Sequence, residues 1–372
     1  MSIILVTNSI GFLYRRALKP LLFLRDAESV HEGFTALGSL LGKFYFTRAL
    51  TRALFSFQDK RLSQEIAGIK FRNPVGLSAG FDKDAYFVNI LPAIGFGFGQ
   101  VGTVTYREYG GNPKPRLVRV PESKAIVVNY GLKNEGAEKI IERLSRSKIT
   151  KIPVSISIGK TNCQETVDVE KGIQDYVDCL SVFARKGLGD FYTINISCPN
   201  VFGGEPFTTA EKLSDLLERV KQLNINKPIF LKMPINLIWD DFKPLLDAAV
   251  AHNATGVIIG NLNKDPDILR KYINQEGRGG LSGKVCWDLS NDLISKTYQA
   301  YGQKLVIVGV GGVFSAADAY EKIKRGASLV QLITGMIYEG PQLIGQINRG
   351  LVKLLEKDGY NNIKQAIGAS HR

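Results

Sequence analysis

Val306-Ile-Val-Gly-Val-Gly-Gly312 and, beyond one stretch of helical length, Leu329-Val-Gln-Leu-Ile-Thr-Gly335 are the segments on which the fold turns. Each is a short apolar run of buried-strand type that ends in glycine. Turns of this kind leave backbone N–H groups open to a phosphate. They also satisfy the plain turn geometry that any strand-to-helix connection needs. Two of them, after the last two strands of an alternating pattern, favour a phosphate-bearing ligand, with a flavin phosphate and a sugar phosphate as the candidates.

Six further apolar runs precede these two: Val75–Leu77, Phe98–Thr103, Val154–Ile158, Tyr192–Ile196, Ile229–Lys232 and Gly256–Ile259. With Val306–Val308 and Leu329–Leu332 they make eight, and amphipathic stretches such as Ala210–Leu223 and Ala316–Arg325 lie between them. Strands alternating with helices predict a parallel sheet, and eight is the number that closes a (β/α)8 TIM barrel. A doubly wound open sheet is the alternative, and no GxGxxG follows the first strand to support it. Leu62–Ile66 and Ile69–Phe71 flank Ala67-Gly68 and read as a hairpin ahead of the barrel.

The chain of 372 residues suits one barrel plus an appendage. Residues 1–60 form the appendage and 61–372 the barrel domain. Met1 to Leu24 is apolar but interrupted by Arg15, Arg16, Lys19 and Pro20, which excludes a spanning helix and fits poorly with a cleavable signal. Leu37, Leu40, Leu41 and Phe44 follow a helical spacing, as do Leu50, Leu54 and Phe57 in the segment from Thr47 to Phe57. Two amphipathic helices with basic flanks suit a membrane interface, or else dock their apolar faces on the rest of the protein. The formal charge of +13 is spread along the chain without a nucleic-acid motif, so nucleic-acid binding is not expected. Cys163, Cys179, Cys198 and Cys286 show no CxxC pairing and no nearby His, so no metal site is expected and reduced thiols are.

Polar and glycine residues collect at the ends of the candidate strands, where a barrel of this kind builds its site. They are Ser78-Ala79-Gly80-Phe81-Asp82-Lys83, Gly102-Thr103, Asn195-Ile-Ser-Cys198-Pro-Asn200, Lys232 and Gly260-Asn261. A buried lysine such as Lys232 can hold negative charge on a reduced flavin, form a Schiff base or pair with a carboxylate. Asn129, Asn195 and Asn261, with Asn200 beyond the fourth strand, suit a planar ligand rich in carbonyl and N–H groups, such as a pyrimidine.

Taken jointly, Ala79-Gly-Phe-Asp-Lys83, Gly111-Asn-Pro-Lys-Pro-Arg-Leu117, Asn195-Ile-Ser-Cys-Pro-Asn200, Gly280-Leu-Ser-Gly283, Gly309-Val-Gly-Gly312 and Tyr338-Glu-Gly-Pro341 resemble the dihydroorotate dehydrogenases. Asp26-Ala-Glu-Ser-Val-His31 and its surrounding helices resemble the class 2, quinone-dependent members, in which two helices form an apolar tunnel to the flavin. The resemblance implies FMN contacting Ser78, Ala79, Gly80, Thr103, Asn195, Lys232, Gly283, Gly311, Gly312, Thr334 and Gly335. It implies dihydroorotate held by Lys83, Asn129, Asn195, Asn200 and Asn261, and oxidised to orotate for pyrimidine biosynthesis, with a membrane quinone as final acceptor. A monomer at the cytoplasmic face of a bacterial inner membrane is expected, since no Arg/Ser-rich transit sequence precedes the helices.

The chain departs from class 2 in places. Cys198 stands where that class usually has Ser, as in class 1, and a thiol beside cations is a competent base. The run Asn129-Tyr-Gly-Leu-Lys-Asn134 is one residue shorter than usual, Ser157 replaces a common Asn, and Leu262 replaces a common Thr. The competing expectations are a class 1-like enzyme using fumarate or NAD, and a non-catalytic membrane-associated barrel.

Overall fold

Glycines and prolines punctuate the chain so that its β-branched runs are short, and in this computed structural model, which describes residues 3–147, 151–272 and 279–372, they become strands. In chain order these are β1 (Gln64–Ile66), β2 (Ile69–Phe71), β3 (Val75–Leu77), β4 (Phe98–Val104), β5 (Leu117–Val120), β6 (Ala125–Val128), β7 (Val154–Ile158), β8 (Phe191–Asn195), β9 (Ile229–Met233), β10 (Gly256–Ile259), β11 (Gly280–Gly283), β12 (Val306–Val310) and β13 (Leu329–Leu332). A closed barrel runs β10-β12-β13-β3-β4-β7-β8-β9, so each of the eight runs read from the sequence is a barrel strand. Neighbours are parallel throughout. The ends differ slightly: β8 starts at Phe191 and stops before Ile196, and β12 continues to Val310.

Side chains alternate in and out along each strand, so the barrel interior fills in layers. Phe98, Phe191, Phe230, Val308 and Leu329 pack the N-terminal end. The antiparallel β1–β2 hairpin closes that end with Phe71, whose ring meets Phe98 edge-on at 5.4 Å. Gly76 leaves room for this layer, because a Cβ there would sit 2.3 Å from the Phe98 ring. Two residues further along, the lining turns polar. The Gln100 amide donates to Thr193 at 2.7 Å, and Gln331 reaches Gln100 at 3.4 Å. A third step brings Thr103, Ser157, Asn195 and Lys232 to the C-terminal mouth, all buried, with Asn195 and Lys232 in register across β8 and β9.

The N-terminal extension holds more helix than the sequence pattern implied. A helical stretch made of α1 (Ile3–Leu13), the π-helical turn Tyr14–Leu18 and α2 (Lys19–Phe23) precedes α3 (Ala27–Lys43) and α4 (Tyr45–Phe55). The two expected helices are present as α3 and α4, and the stretch before them adds further helix. Arg15, Arg16 and Lys19 interrupt hydropathy but not backbone hydrogen bonding, and Pro20 sits in the first turn of α2, where it is tolerated. Residues 1 and 2 of the expected appendage lie outside the described residues. Asp26 caps α3 by accepting from Ser29 N at 2.8 Å, and Phe57 lies beyond the end of α4. Among the described residues no helix is long and apolar enough to cross a membrane.

A three-stranded antiparallel sheet, β11-β6-β5, also went unread in the sequence, because its four-residue strands carry no sustained alternation. It brings Arg116, just before β5, to α3. There the buried Glu28 accepts from Arg116 Nη2 at 2.7 Å and Nε at 3.0 Å, and from Lys133 at 3.1 Å. This forked pair fixes the extension to the barrel.

Phe191→Ala is expected to remove about 3–5 kcal/mol of stability by opening a cavity in the aromatic layer. A lowered urea midpoint with an unchanged ligand site at the opposite mouth is the result to look for.

Candidate active site

At the C-terminal mouth the third layer of the barrel becomes a hydrogen-bonded platform. Asn195 Nδ2 donates to Thr103 Oγ1 at 2.8 Å, and that oxygen lies 2.9 Å from Ser157 Oγ. The Asn261 amide donates to Ser197 O at 2.7 Å and Oγ at 2.9 Å, and the Ser197 hydroxyl donates to Lys232 O at 2.7 Å. The Tyr176 hydroxyl, buried behind the platform, holds Asn195 O at 2.6 Å. Strands β4, β7, β8, β9 and β10 are thereby tied together, and Thr103, Asn195, Lys232 and Asn261 of this network also line a cavity.

Two adjoining cavities share this platform. The smaller, about 100 Å³, is walled by Ser78, Ala79, Lys232, Gly283, Gly311, Gly312, Thr334 and Gly335. Gly311 and Gly312 have φ of +100° and +76°, and neither donates its N–H to a backbone acceptor among the described residues. A Cβ on Gly335 would lie 2.0 Å from Val313 O, so the chain closes tightly there. Open N–H groups, the paired hydroxyls of Ser282 and Thr334 at 2.8 Å, and a buried cation at Lys232 fit the phosphate and ring of a flavin.

The larger cavity, about 250 Å³, contains Gly80, Lys83, Thr103, Asn195, Cys198, Asn200 and Asn261 in its wall and continues between α3 and the rest of the extension. Of the residues expected to bind FMN or substrate, only Asn129 is not on either wall. Its side-chain oxygen instead accepts from Asn112 Nδ2 at 3.0 Å, while Asn112 also holds Asn200 O at 3.0 Å. In this shortened turn Tyr130 takes the wall position, with Lys83 Nζ 3.8 Å from its ring centroid. Leu262, in place of Thr, makes the wall beside Asn261 apolar.

Burial sets the electrostatics. Desolvation brings Lys232 down to about 8, and Lys83 likewise to about 8 with help from Lys133. The expectation that nearby cations lower the Cys198 thiol is corrected. Burial pushes it up to about 11, and Lys232 and Lys160 offset only part of that rise. Both lysines remain largely protonated at neutral pH and the thiol remains neutral, so the site presents positive charge to an anionic ligand.

Sequence reasoning expected an apolar tunnel along the extension but assigned no role to the residues of its outer wall. His31 on α3 donates from Nε2 to Phe81 O at 2.8 Å, and burial holds its pKa near 4, so the ring is neutral. Its Nδ1 and the Tyr130 hydroxyl are buried without a partner among the described residues. Arg119 reaches the same wall, donating to Arg25 O at 2.7 Å and lying 4.7 Å from the Phe23 ring. The only signal in the sequence was the Asp26–His31 motif, and it gave no hint of Arg119 or Tyr130.

The family model described as dihydroorotate dehydrogenase matches residues 61–355. The dihydroorotate dehydrogenase (quinone) of Nostoc punctiforme is 38% identical, covering 96% of this chain and 98% of that protein. That of Deinococcus deserti is 36% identical, with 96% and 99% covered. Among solved structures, DHODH from Eimeria tenella in complex with ferulenol superposes with a TM-score of 0.83 at 26% identity, covering 93% of this chain and 96% of that one. With the strand-end platform, the glycine cradle and the shared barrel, these matches establish that the chain belongs to the dihydroorotate dehydrogenase family.

Proposed function

We propose that the chain is a dihydroorotate:quinone oxidoreductase of de novo pyrimidine biosynthesis, using FMN and working as a monomer on the cytoplasmic face of a bacterial inner membrane. The observation that carries the reading is the continuity of the larger cavity from Cys198, Asn195 and Lys232 outward to α3, α2 and Tyr14 on the π-helical turn. A substrate end and an apolar outer end then share one wall. The relatives named as quinone enzymes across nearly the full chain, extension included, support the acceptor.

Bound in the smaller cavity, FMN supplies the hydride acceptor and then a two-electron donor. The chain's own groups do the rest. The Lys83 ammonium attracts the dihydroorotate carboxylate, and the amides of Asn195, Asn200 and Asn261 meet its ring carbonyls and N–H groups. Cys198 Sγ, in its minority thiolate form, would take the C5 proton and become the neutral thiol as the C6 hydride departs, and Lys232 would sit where it can balance negative charge on a bound flavin. At the outer end the Arg119 guanidinium offers a donor to a quinone carbonyl, and neutral His31 offers Nδ1 as an acceptor.

Exposed Phe12, Leu21, Leu24, Phe44, Phe46 and Leu50, interleaved with Arg15, Arg16, Arg25, Arg48 and Arg52, support docking on an anionic bilayer. Cys198 keeps a class 1 reading in view, with fumarate or NAD as acceptor. The acceptor assay decides: purified protein should reduce ubiquinone or menaquinone with dihydroorotate, and turnover with fumarate but not quinone would sink the assignment.

Cys198→Ala should slow anaerobic flavin bleaching by dihydroorotate about 10²–10⁴-fold, the range of a lost general base, while Cys198→Ser keeps part of the rate. In stopped-flow the wild-type bleaching rate should climb with pH through neutrality, because the thiolate is the basic form and its pKa is about 11. Substrate affinity should weaken over the same range as Lys83, at about 8, loses its proton. Arg119→Gln should raise the quinone KM about tenfold, a loss of ~1.4 kcal/mol, and leave bleaching by dihydroorotate intact.

A further inference from the structure

Behind the glycine cradle lies a cation that the chemistry above does not use. Lys322, on the helix Ala316–Lys324, is wholly buried. Its Nζ donates to Ser290 Oγ at 2.7 Å and to Asn291 Oδ1 at 3.0 Å, both on the helix Trp287–Tyr301. It makes no ion pair among the described residues. Asp318, one turn back, is occupied by Lys284 at 2.9 Å and by Phe314 N at 2.9 Å. Burial brings the Lys322 ammonium down to about 7, the expected result of removing a cation from water without a carboxylate beside it.

The surroundings say what such a cation serves. Ser290 Oγ accepts from Lys322 Nζ and in turn donates to Val310 O at 2.6 Å. A trans peptide is planar with C=O and N–H opposed, so fixing Val310 O towards Ser290 aims Gly311 N–H the other way. Gly311 is on the wall of the smaller cavity, and its N–H has no backbone acceptor among the described residues. Lys322 also packs where the turn is tightest. A Cβ on Gly309 would lie 3.1 Å from Lys322 Cδ, and Trp287, whose ring centroid is 5.0 Å from Nζ, would lie 3.0 Å from a Cβ on Gly312.

We propose that Lys322 is a positioning residue for the phosphate end of the cofactor, orienting the Val310–Gly311 peptide through Ser290 and placing buried positive charge behind the cradle. The inference rests on the FMN reading. It separates a phosphate-directed role from simple helix-to-helix anchoring, which would affect any flavin alike.

The test compares FMN with riboflavin, which lacks the phosphate, by fluorescence titration of the full-length chain after flavin exchange. Lys322→Met should weaken FMN about tenfold or more and leave riboflavin within about twofold, collapsing the preference for the phosphorylated flavin. Ser290→Ala, which keeps the ammonium but breaks the relay, should lower the same ratio by several-fold, and it decides the matter if Lys322→Met does not fold. An unchanged ratio in the variant that folds, or equal losses for both flavins, would overturn the proposal for Lys322 while leaving FMN in place. A wild-type chain that binds neither flavin would overturn the cofactor reading itself, and the proposal with it.

Discussion

Closing a sheet of eight parallel strands leaves inward side chains with no solvent to face, and the whole molecule is arranged around that constraint. At the N-terminal end the interior is met by phenylalanines and by Gly76, which makes space for them. Two residues on, the interior becomes polar, and every group there must find a partner within the barrel. Gln100, Thr193 and Gln331 bond among themselves, and only Gln331 Oε1 in this trio has no partner among the described residues. One step further, Thr103, Ser157 and Asn195 bond to one another while still reaching the mouth. The same alternation that packs the core thus delivers a pre-ordered polar platform to the place where ligands enter.

Burial at that mouth also sets the charges. Lys232 and Lys83 are held where their ammonium groups lose water, so their proton affinities fall towards the working range, and the Cys198 thiol moves the opposite way for the same reason. A resting thiol that is neutral does not repel a carboxylate substrate, and its minority thiolate is the form able to take the C5 proton. Lys322 extends this logic one layer outward, as a cation kept dry beside a turn whose N–H groups face a cavity.

The extension is tied to this machinery by few but strong contacts. Glu28, nearly inaccessible on α3, takes both Arg116 and Lys133, and Tyr14 donates to Ile337 O at 2.7 Å. These links hold α3 and its histidine over the larger cavity while the outer faces of α1–α4 keep their apolar side chains exposed. Segments that would be marginal as isolated helices are stabilised by docking on the barrel. In that docked position they form the cavity's far wall.

Local chemistry alone determined the eight strands, the hairpin, and the collection of Ser78, Asn195, Lys232, Asn261 and the glycine turns at strand ends, because each is written within a few consecutive residues. The joint motifs likewise made the family legible. Partners and burial were not legible, since they depend on residues far apart in the chain. Asn112 engages Asn129 and takes it off the cavity wall, Arg116 finds Glu28 across 88 positions, and burial raises Cys198 against the pull of its lysines. The stretch before α3 is helical despite its charges, because hydropathy reports solvent preference whereas backbone hydrogen bonding decides the helix. The sequence thus placed the reactive groups at one mouth of a barrel, and tertiary packing decided which of them face the cavity and in what protonation state.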